Sequence, residues 1–158
     1  MNEAEIREIV RNTIAAARAD KSKMTLSLAE RLCDAVLKEA ARMGVKAVVC
    51  VSDAGGHPKL VKSMDDAYIA SYDIAVNKAY TVVALKMSTA ELKPLAQPGA
   101  ELYGIQFTNG GRIVVFGGGD TLTGKNGEII GGLGVSGGSE AEDSALSAFG
   151  KTYFETKI

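Results

Sequence analysis

The sequence has little of what metal-dependent, disulfide-stabilised or membrane proteins need. Its 158 residues include two cysteines, one histidine, three prolines and no tryptophan. Because a structural zinc site usually takes four Cys or His ligands, Cys33 and Cys50 are predicted to be buried free thiols, with a disulfide or a metal site as the alternatives. No apolar run approaches the roughly 18 residues of a membrane span, and the first residues are acidic instead of a basic leader. We therefore expect a cytoplasmic protein.

A strong charge of either sign is also missing. The formal net charge is −1, which argues against a dedicated binder of nucleic acid or anionic membranes. The length predicts a single domain over residues 1–158, with residues 1–24 as an N-terminal helix and linker. What the chain does have is glycine, 18 residues in all, concentrated between Gly104 and Gly138.

Apolar periodicity and turn signals predict an α/β (α+β) fold. The second half of the longest helix is apolar nearly all round, which suggests burial between layers. Short turns join the strand pairs, so we expect an antiparallel sheet with helices on its faces. The predicted helices cover residues 3–19, 29–43, 65–86 and 139–154, and the predicted strands cover residues 47–52, 58–63, 112–116 and 128–135.

Three strings in the glycine-rich segment match catalytic motifs by letter. Residues 119–125 match the phosphate-binding GxxxxGK, but a strand and not a helix is predicted after them. Residues 132–137 match GxGxxG without a parallel βαβ unit, and residues 134–138 match GxSxG without a histidine downstream. The competing interpretations are a hairpin end and a sharp strand-to-helix turn, with a positive φ at Gly137 or Gly138. Free amides at that helix start could also bind an anion.

Four segments together carry a family resemblance. They are Val51-Ser-Asp-Ala-Gly-Gly-His57, Lys62-Ser-Met-Asp-Asp-Ala67, Asn77-Lys-Ala-Tyr-Thr81, and Gly131-Gly-Leu-Gly-Val-Ser-Gly-Gly138 followed by Asp143. In combination they resemble the GlcG/HbpS haem-binding family, which includes the C-terminal domain of PduO-type cobalamin adenosyltransferases. The resemblance runs over roughly residues 28–150. The usual Arg-Met-Asp-Gly-Ala of the family reads Ser63-Met-Asp-Asp-Ala67 here.

The resemblance implies a profilin-like antiparallel sheet with helices on both faces, assembled into homo-oligomers that are often octamers. It also implies binding of haem or a related tetrapyrrole, with a corrinoid as the less favoured ligand, and in some members slow haem degradation or redox sensing. Members often accompany propanediol, glycerol or glycolate utilisation enzymes. The adenosyltransferase activity itself is not implied, because that domain is not seen in this sequence.

Candidate ligand-binding residues follow from these segments. His57, in a hairpin with Asp53 and Gly56, is the only imidazole available to haem iron, although a solvated histidine is the plainer interpretation. The thioether of Met64 is a weaker ligand or a core filler. Lys78 could pair with a haem propionate or with Asp53. The anion-binding turn adds Gly134, Ser136 and Gly137.

Two tyrosines and the function itself leave alternatives open. Tyr68 and Tyr72 lie one helical turn apart and could flank a planar ligand, pack on the sheet or line a subunit interface. The first functional interpretation is a haem-binding accessory protein. The others are a non-catalytic oligomeric assembly protein without cofactor, and a small-molecule enzyme that uses the residue 131–138 anion site.

Overall fold

The computed structural model describes residues 1–19 and 21–158, and the side chains of all of these except residues 15–19. Asp20 of the predicted linker and the side chain of Ala17 lie outside this description. The described elements are five α-helices and four β-strands, with two short 3₁₀ turns at residues 105–107 and 109–111. In chain order they are α1 (Glu3–Ala19), α2 (Leu26–Arg42), β1 (Val48–Asp53), β2 (Pro58–Ser63), α3 (Ile69–Leu85), α4 (Thr89–Leu95), β3 (Gly119–Thr123), β4 (Ile129–Ser136) and α5 (Glu140–Lys157).

The four strands form one antiparallel sheet in the order β2-β1-β4-β3, which confirms the predicted sheet type. β1 and β4 lie at the centre, with Val48 opposite Ser136 and Asp53 opposite Gly131. β2 is an edge strand that begins at Pro58. Proline has no N–H to donate to a ladder, so the edge is the position where it costs least.

Helices cover both faces of the sheet, as predicted. On one face the buried side chains of α2 and α5 pack against Val49, Val51, Leu133 and Val135 in the main hydrophobic cluster. The other face carries a smaller cluster in which Ala75 and Ala79 of α3 contact Val48 and Cys50. The alternation of β1 residues between the two clusters follows from the two-residue period of a strand.

Glycines in β4 let α3 lie unusually close to the sheet. A Cβ on Gly134 would stand 2.0 Å from the carbonyl oxygen of Ala75, and one on Gly132 would stand 2.3 Å from that of Ala79. Any side chain at either position would therefore push the helix away. Sequence patterns alone assign these glycines to a turn or an anion site. The structure adds the close packing of α3 as a further reason for glycine at these positions.

The two amphipathic N-terminal helices behave differently. α2 buries its apolar stripe against the sheet, including Leu32 and Val36. The apolar stripe of α1, in contrast, is about half exposed over its described side chains: Ile6 44%, Ile9 53%, Val10 50% and Ile14 48%. Part of the linker after it is folded onto α5, because Lys21 donates a hydrogen bond to the carbonyl oxygen of Phe154 at 2.6 Å.

One predicted element is wrong. Residues 112–116 do not form a strand, because the backbone N–H of Val114 is taken by the Thr81 hydroxyl at 3.0 Å instead of a ladder partner. The second half of the long helix, predicted to be buried between layers, has Ala79, Thr81 and Val82 fully buried. Residues 112–114 also contact it, through the Thr81 hydroxyl and the Tyr80 ring. The start of the helix is uncovered, since Ile69 is 98% exposed and Tyr72 is 54% exposed.

Candidate functional site

The β1–β2 turn is built by one aspartate and one glycine. Asp53 accepts hydrogen bonds at Oδ1 from the backbone amides of Gly55, at 2.9 Å, and His57, at 3.0 Å. Gly56 has a φ of +76°, a conformation that costs glycine least. The first of the quoted family segments thus forms this turn, with Asp53 and Gly56 as the residues that shape it, and presents His57 at its end.

The side chain of His57 points into solvent. It is 81% exposed, and its Nδ1 lies 3.4 Å from Asp53 Oδ1. Burial acts to raise the pKa of Asp53, but the backbone amides of His57 and Gly55 and the nearby His57 and Lys59 charges lower it below its usual value. A carboxylate beside Nδ1 is the usual partner of a metal-binding histidine, since it leaves Nε2 free for the metal.

A second set of side chains borders this turn. A Cβ on Gly56 would stand 2.8 Å from the Tyr80 ring, so the turn lies directly against that ring. The Tyr80 hydroxyl donates a hydrogen bond to Asn109 Oδ1 at 2.9 Å, and the Arg112 guanidinium carbon lies 3.6 Å from the ring centroid. We call residues 53–58 together with Tyr80 and Arg112 the hairpin end.

Sequence reasoning missed both side chains of this second set. Tyr80 stands in a quoted family segment but was assigned no role. Arg112 carried no signal at all, because it precedes an apolar run that was interpreted as a strand.

The opposite end of the sheet holds the predicted glycine turn. Ser136 is 4% exposed, and its hydroxyl lies 3.1 Å from that of Ser71. Gly137 has a φ of +149°, and a Cβ there would meet the Lys46 carbonyl oxygen at 2.2 Å. The expected positive φ is therefore at Gly137 and not at Gly138. These residues line a cavity of about 250 Å³ together with Tyr68 and Phe116.

A buried ion pair completes that end. The Lys78 ammonium is fully buried, donates to the Val135 carbonyl oxygen at 2.8 Å, and lies 3.2 Å from Asp143 Oδ2. Asp143 also accepts from the amide of Gly138 at 2.9 Å. Burial lowers the pKa of Lys78 and raises that of Asp143, while the attraction between the two charges opposes both shifts. We call Ser71, Lys78, Ser136, Gly137 and Asp143 the ion-pair end.

The partner of Lys78 is thus Asp143, and the alternative pairing with Asp53 is wrong. Phe116, which is 37% exposed, places its ring centroid 4.9 Å from the Lys78 nitrogen. In this arrangement the ammonium already has a carbonyl, a carboxylate and an aromatic ring around it.

The remaining predicted residues lie near the ion-pair end. The Met64 sulfur accepts a hydrogen bond from the Ala47 amide at 3.3 Å, and the side chain packs against the main cluster. Asp66, which replaces the family's usual glycine, takes a φ of +64°. Tyr68 and Tyr72 are 73% and 54% exposed, so neither is packed away on the sheet.

The predicted ligand-binding residues therefore fall into two groups and not one. Asp53, Gly56 and His57 lie at the hairpin end, whereas Ser136 and Gly137 lie at the other end of β4. The five residue steps of β1 between the two ends span roughly 17 Å. Gly134 lies between them, covered by α3.

The described residues form no third candidate site from metal ligands or reactive thiols. In the described part of the chain, no three His, Cys, Asp or Glu side chains come together in a way that could hold a metal ion. Cys33 and Cys50 are both buried and free, as predicted, and burial raises the pKa of each thiol to about 12. Among the described helices, none is long and apolar enough to cross a bilayer.

Comparison with known proteins identifies the family. Residues 24–150 match the family model described as haem degrading protein HbpS-like. The chain belongs to the HbpS-like family. The match covers all four strands and begins after α1, so α1 lies outside the part that the family model describes.

Individual HbpS-like relatives agree with this assignment. An uncharacterised 15.0 kDa protein from the dhaT-dhaS intergenic region of Citrobacter freundii is 45% identical over 124 residues, covering 78% of this chain and 87% of its own. The corrinoid adenosyltransferase PduO of Salmonella typhimurium is 40% identical over 90% of this chain, which spans 44% of that enzyme. A crystal structure of a PduOC–haem complex superposes with a TM-score of 0.78 at 37% identity, covering 82% of this chain and 94% of its own.

Proposed function

We propose that this protein binds haem at the hairpin end, with His57 as the iron ligand. It would serve as a cytoplasmic homo-oligomeric accessory protein of a pathway such as propanediol, glycerol or glycolate utilisation. The observation that carries the proposal is the exposed His57 imidazole, whose Nδ1 faces the Asp53 carboxylate 3.4 Å away. Family membership and the haem in the PduOC complex support haem as the ligand.

The residues at the hairpin end fit an iron-bearing planar ligand. Asp53 holds the turn through two backbone amides and orients the imidazole, so that Nε2 is available to a metal. The aromatic ring of Tyr80 packs directly against the turn at Gly56. When bound, haem supplies redox and axial-ligand chemistry, which the protein tunes through the ligand and its hydrogen bonds.

A haemin titration tests the proposal. We expect a Soret band in the wild type that shifts in His57→Ala, with binding weakened at least tenfold. Met64→Leu is the matched control, because it removes the other candidate ligand and keeps the side-chain volume; it should bind like the wild type. If the Soret band shifts in Met64→Leu and not in His57→Ala, Met64 is the iron ligand and the proposal is contradicted.

Two further outcomes discriminate the alternatives. If the wild type binds no more haemin than an unrelated protein of similar hydrophobicity, the assembly protein without cofactor takes the place of the haem protein. If it binds cobalamin and not haemin, the ligand is a corrinoid. Either result contradicts the haem proposal.

The proposed homo-oligomer is supported by exposed apolar side chains at the start of α3. Ile69, Tyr68 and Tyr72 are more than half exposed on neighbouring positions, an arrangement typical of interaction surfaces. We propose an assembly larger than a dimer, with the octamer as the specific expectation. A light-scattering mass near 16.5 kDa at micromolar concentration would contradict it.

A further inference from the structure

Arg112 is held in place from both its backbone and its side chain. Its amide donates to the Asn109 carbonyl oxygen at 3.3 Å, and its own carbonyl oxygen accepts from the Thr81 hydroxyl at 3.3 Å. The guanidinium lies 3.6 Å above the centre of the Tyr80 ring. A stacked guanidinium keeps its edge free for hydrogen bonds, because stacking uses only its face.

The charge of this guanidinium is not neutralised by a neighbour. Some exposed cations elsewhere in the described chain lie beside carboxylates, such as Lys62 with Asp34 and Arg42 with Glu39. No carboxylate among the described residues lies within 4.0 Å of the Arg112 guanidinium. A fixed guanidinium with a free edge is the arrangement that takes a carboxylate in a two-point contact.

We infer that Arg112 is the anion-binding residue of the hairpin end and pairs with a carboxylate of the ligand that His57 holds. The inference rests on the proposed function. His57 follows Gly56, which touches the edge of the Tyr80 ring, while Arg112 lies over the face of the same ring. One aromatic side chain therefore contacts both the turn that carries His57 and the cation.

Other cations suit this role less well. Lys78 is fully buried at the ion-pair end, where Asp143 already neutralises it. Lys59 is exposed near the hairpin end, but it and Lys23 line a cavity together with the carboxylates of Asp53 and Glu128, so the two charges of each sign there balance. Arg112 combines a fixed position at the hairpin end with an unpaired charge.

Haemin and haemin dimethyl ester together test the inference, because the ester masks both carboxylates and leaves the iron unchanged. We expect Arg112→Ala to weaken haemin binding about tenfold, to leave the Soret position unchanged, and to leave binding of the ester as in the wild type. Arg112→Lys keeps the charge without the stacked fork, so its loss should be intermediate. Arg42→Ala removes an exposed arginine at the C-terminal end of α2 and should bind both ligands normally.

The outcomes separate this inference from the proposal that it rests on. Haemin binding that depends on His57 but is unaffected by Arg112→Ala would overturn the role of Arg112 and leave the haem site standing. An equal loss for haemin and the ester would overturn it too, since the loss would not involve the carboxylates. If the wild type binds neither ligand, both the inference and the proposed function fail. Urea unfolding of Arg112→Ala, expected to match the wild type within about 1 kcal/mol, checks that the variant is folded.

Discussion

The two ends of the central strands β1 and β4 differ in how their polar side chains are arranged. At the ion-pair end the charged and hydroxyl side chains are buried and have partners: Lys78 with Asp143, and Ser136 with Ser71. At the hairpin end the His57 imidazole is 81% exposed, and the half-buried Arg112 has no carboxylate partner among the described residues. A buried polar group without its partner costs stability, whereas an exposed one is available to a ligand. The ion-pair end should therefore govern stability, and the hairpin end should govern binding.

The largest expected effect is at the buried ion pair. Lys78→Met would leave the Asp143 carboxylate buried without its cation, at a cost of about 3–5 kcal/mol in the free energy of unfolding. Adding Asp143→Asn removes the uncompensated charge and keeps an acceptor for the Gly138 amide, so the double variant should recover much of that loss. Urea unfolding of both variants measures this. A single variant as stable as the wild type would show that the ion-pair end does not govern stability.

The next effect is at the glycine turn of the same end. Gly137→Val places a Cβ 2.2 Å from the Lys46 carbonyl oxygen at a φ of +149°, which we expect to cost about 2–4 kcal/mol through strain and overpacking. Gly111→Val is the control, because Gly111 has a φ of +78° and open space around it. It should cost about 1–2 kcal/mol from backbone strain alone. If chemical denaturation shows equal losses of stability for the two variants, the steric contribution assigned to Gly137 is wrong.

A smaller effect is expected at the hairpin end. Asp53→Ala loses two hydrogen bonds to backbone amides, and because the turn is largely exposed we expect a cost of about 1 kcal/mol. The folded-state pKa of Asp53 is lowered, so its stabilising contribution is present above the unfolded carboxyl pKa of about 3.9 and is lost as the pH falls through the folded value. Solvent screening keeps the pH-dependent part below about 1 kcal/mol.

Asp53→Asn sharpens this test, because the amide keeps an acceptor oxygen but does not titrate. It should be close to the wild type at pH 7 and should lack the Asp53 part of the loss on acidification. Stability measured by urea unfolding between pH 7 and pH 3 distinguishes the variants. An acid loss in Asp53→Asn identical to that of the wild type would mean that Asp53 is not coupled to folding.

The smallest expected effect is a gain in the free energy of unfolding. Asp66 adopts a φ of +64°, which costs a residue with a side chain about 1 kcal/mol relative to glycine. Asp66→Gly relieves that strain but adds freedom to the unfolded chain, so a net gain of about 0.5 kcal/mol is expected by thermal unfolding. A loss of stability would show that the Asp66 side chain contributes more than its backbone strain removes.

Local patterns in the sequence were sufficient for the hairpin and for the antiparallel sheet. Asp53, Gly56 and Pro58 are close along the chain, and each has a conformational preference that predicts a turn. Contacts between distant residues could not be found this way. Asp143 is 65 positions from Lys78, and no local preference links them.

The strand predicted around Arg112 is wrong for a related reason. Its apolar run has the composition of a strand, but the Thr81 hydroxyl on α3 binds the Val114 amide. A tertiary contact thus overrides local preference. The same contact region positions Arg112, so the error in the fold and the missed site residue have one cause.

The glycines of β4 also have a consequence for synthesis of the chain. α3 ends at Leu85, but β4, which forms part of the surface that receives it, begins at Ile129. A ribosome adds roughly 5–20 residues per second, so α3 waits for some seconds before Gly132 and Gly134 are made. β1, which ends at Asp53, waits longer still for its second partner strand. The sheet and its covering helix are therefore completed together, only after β4 has been synthesised.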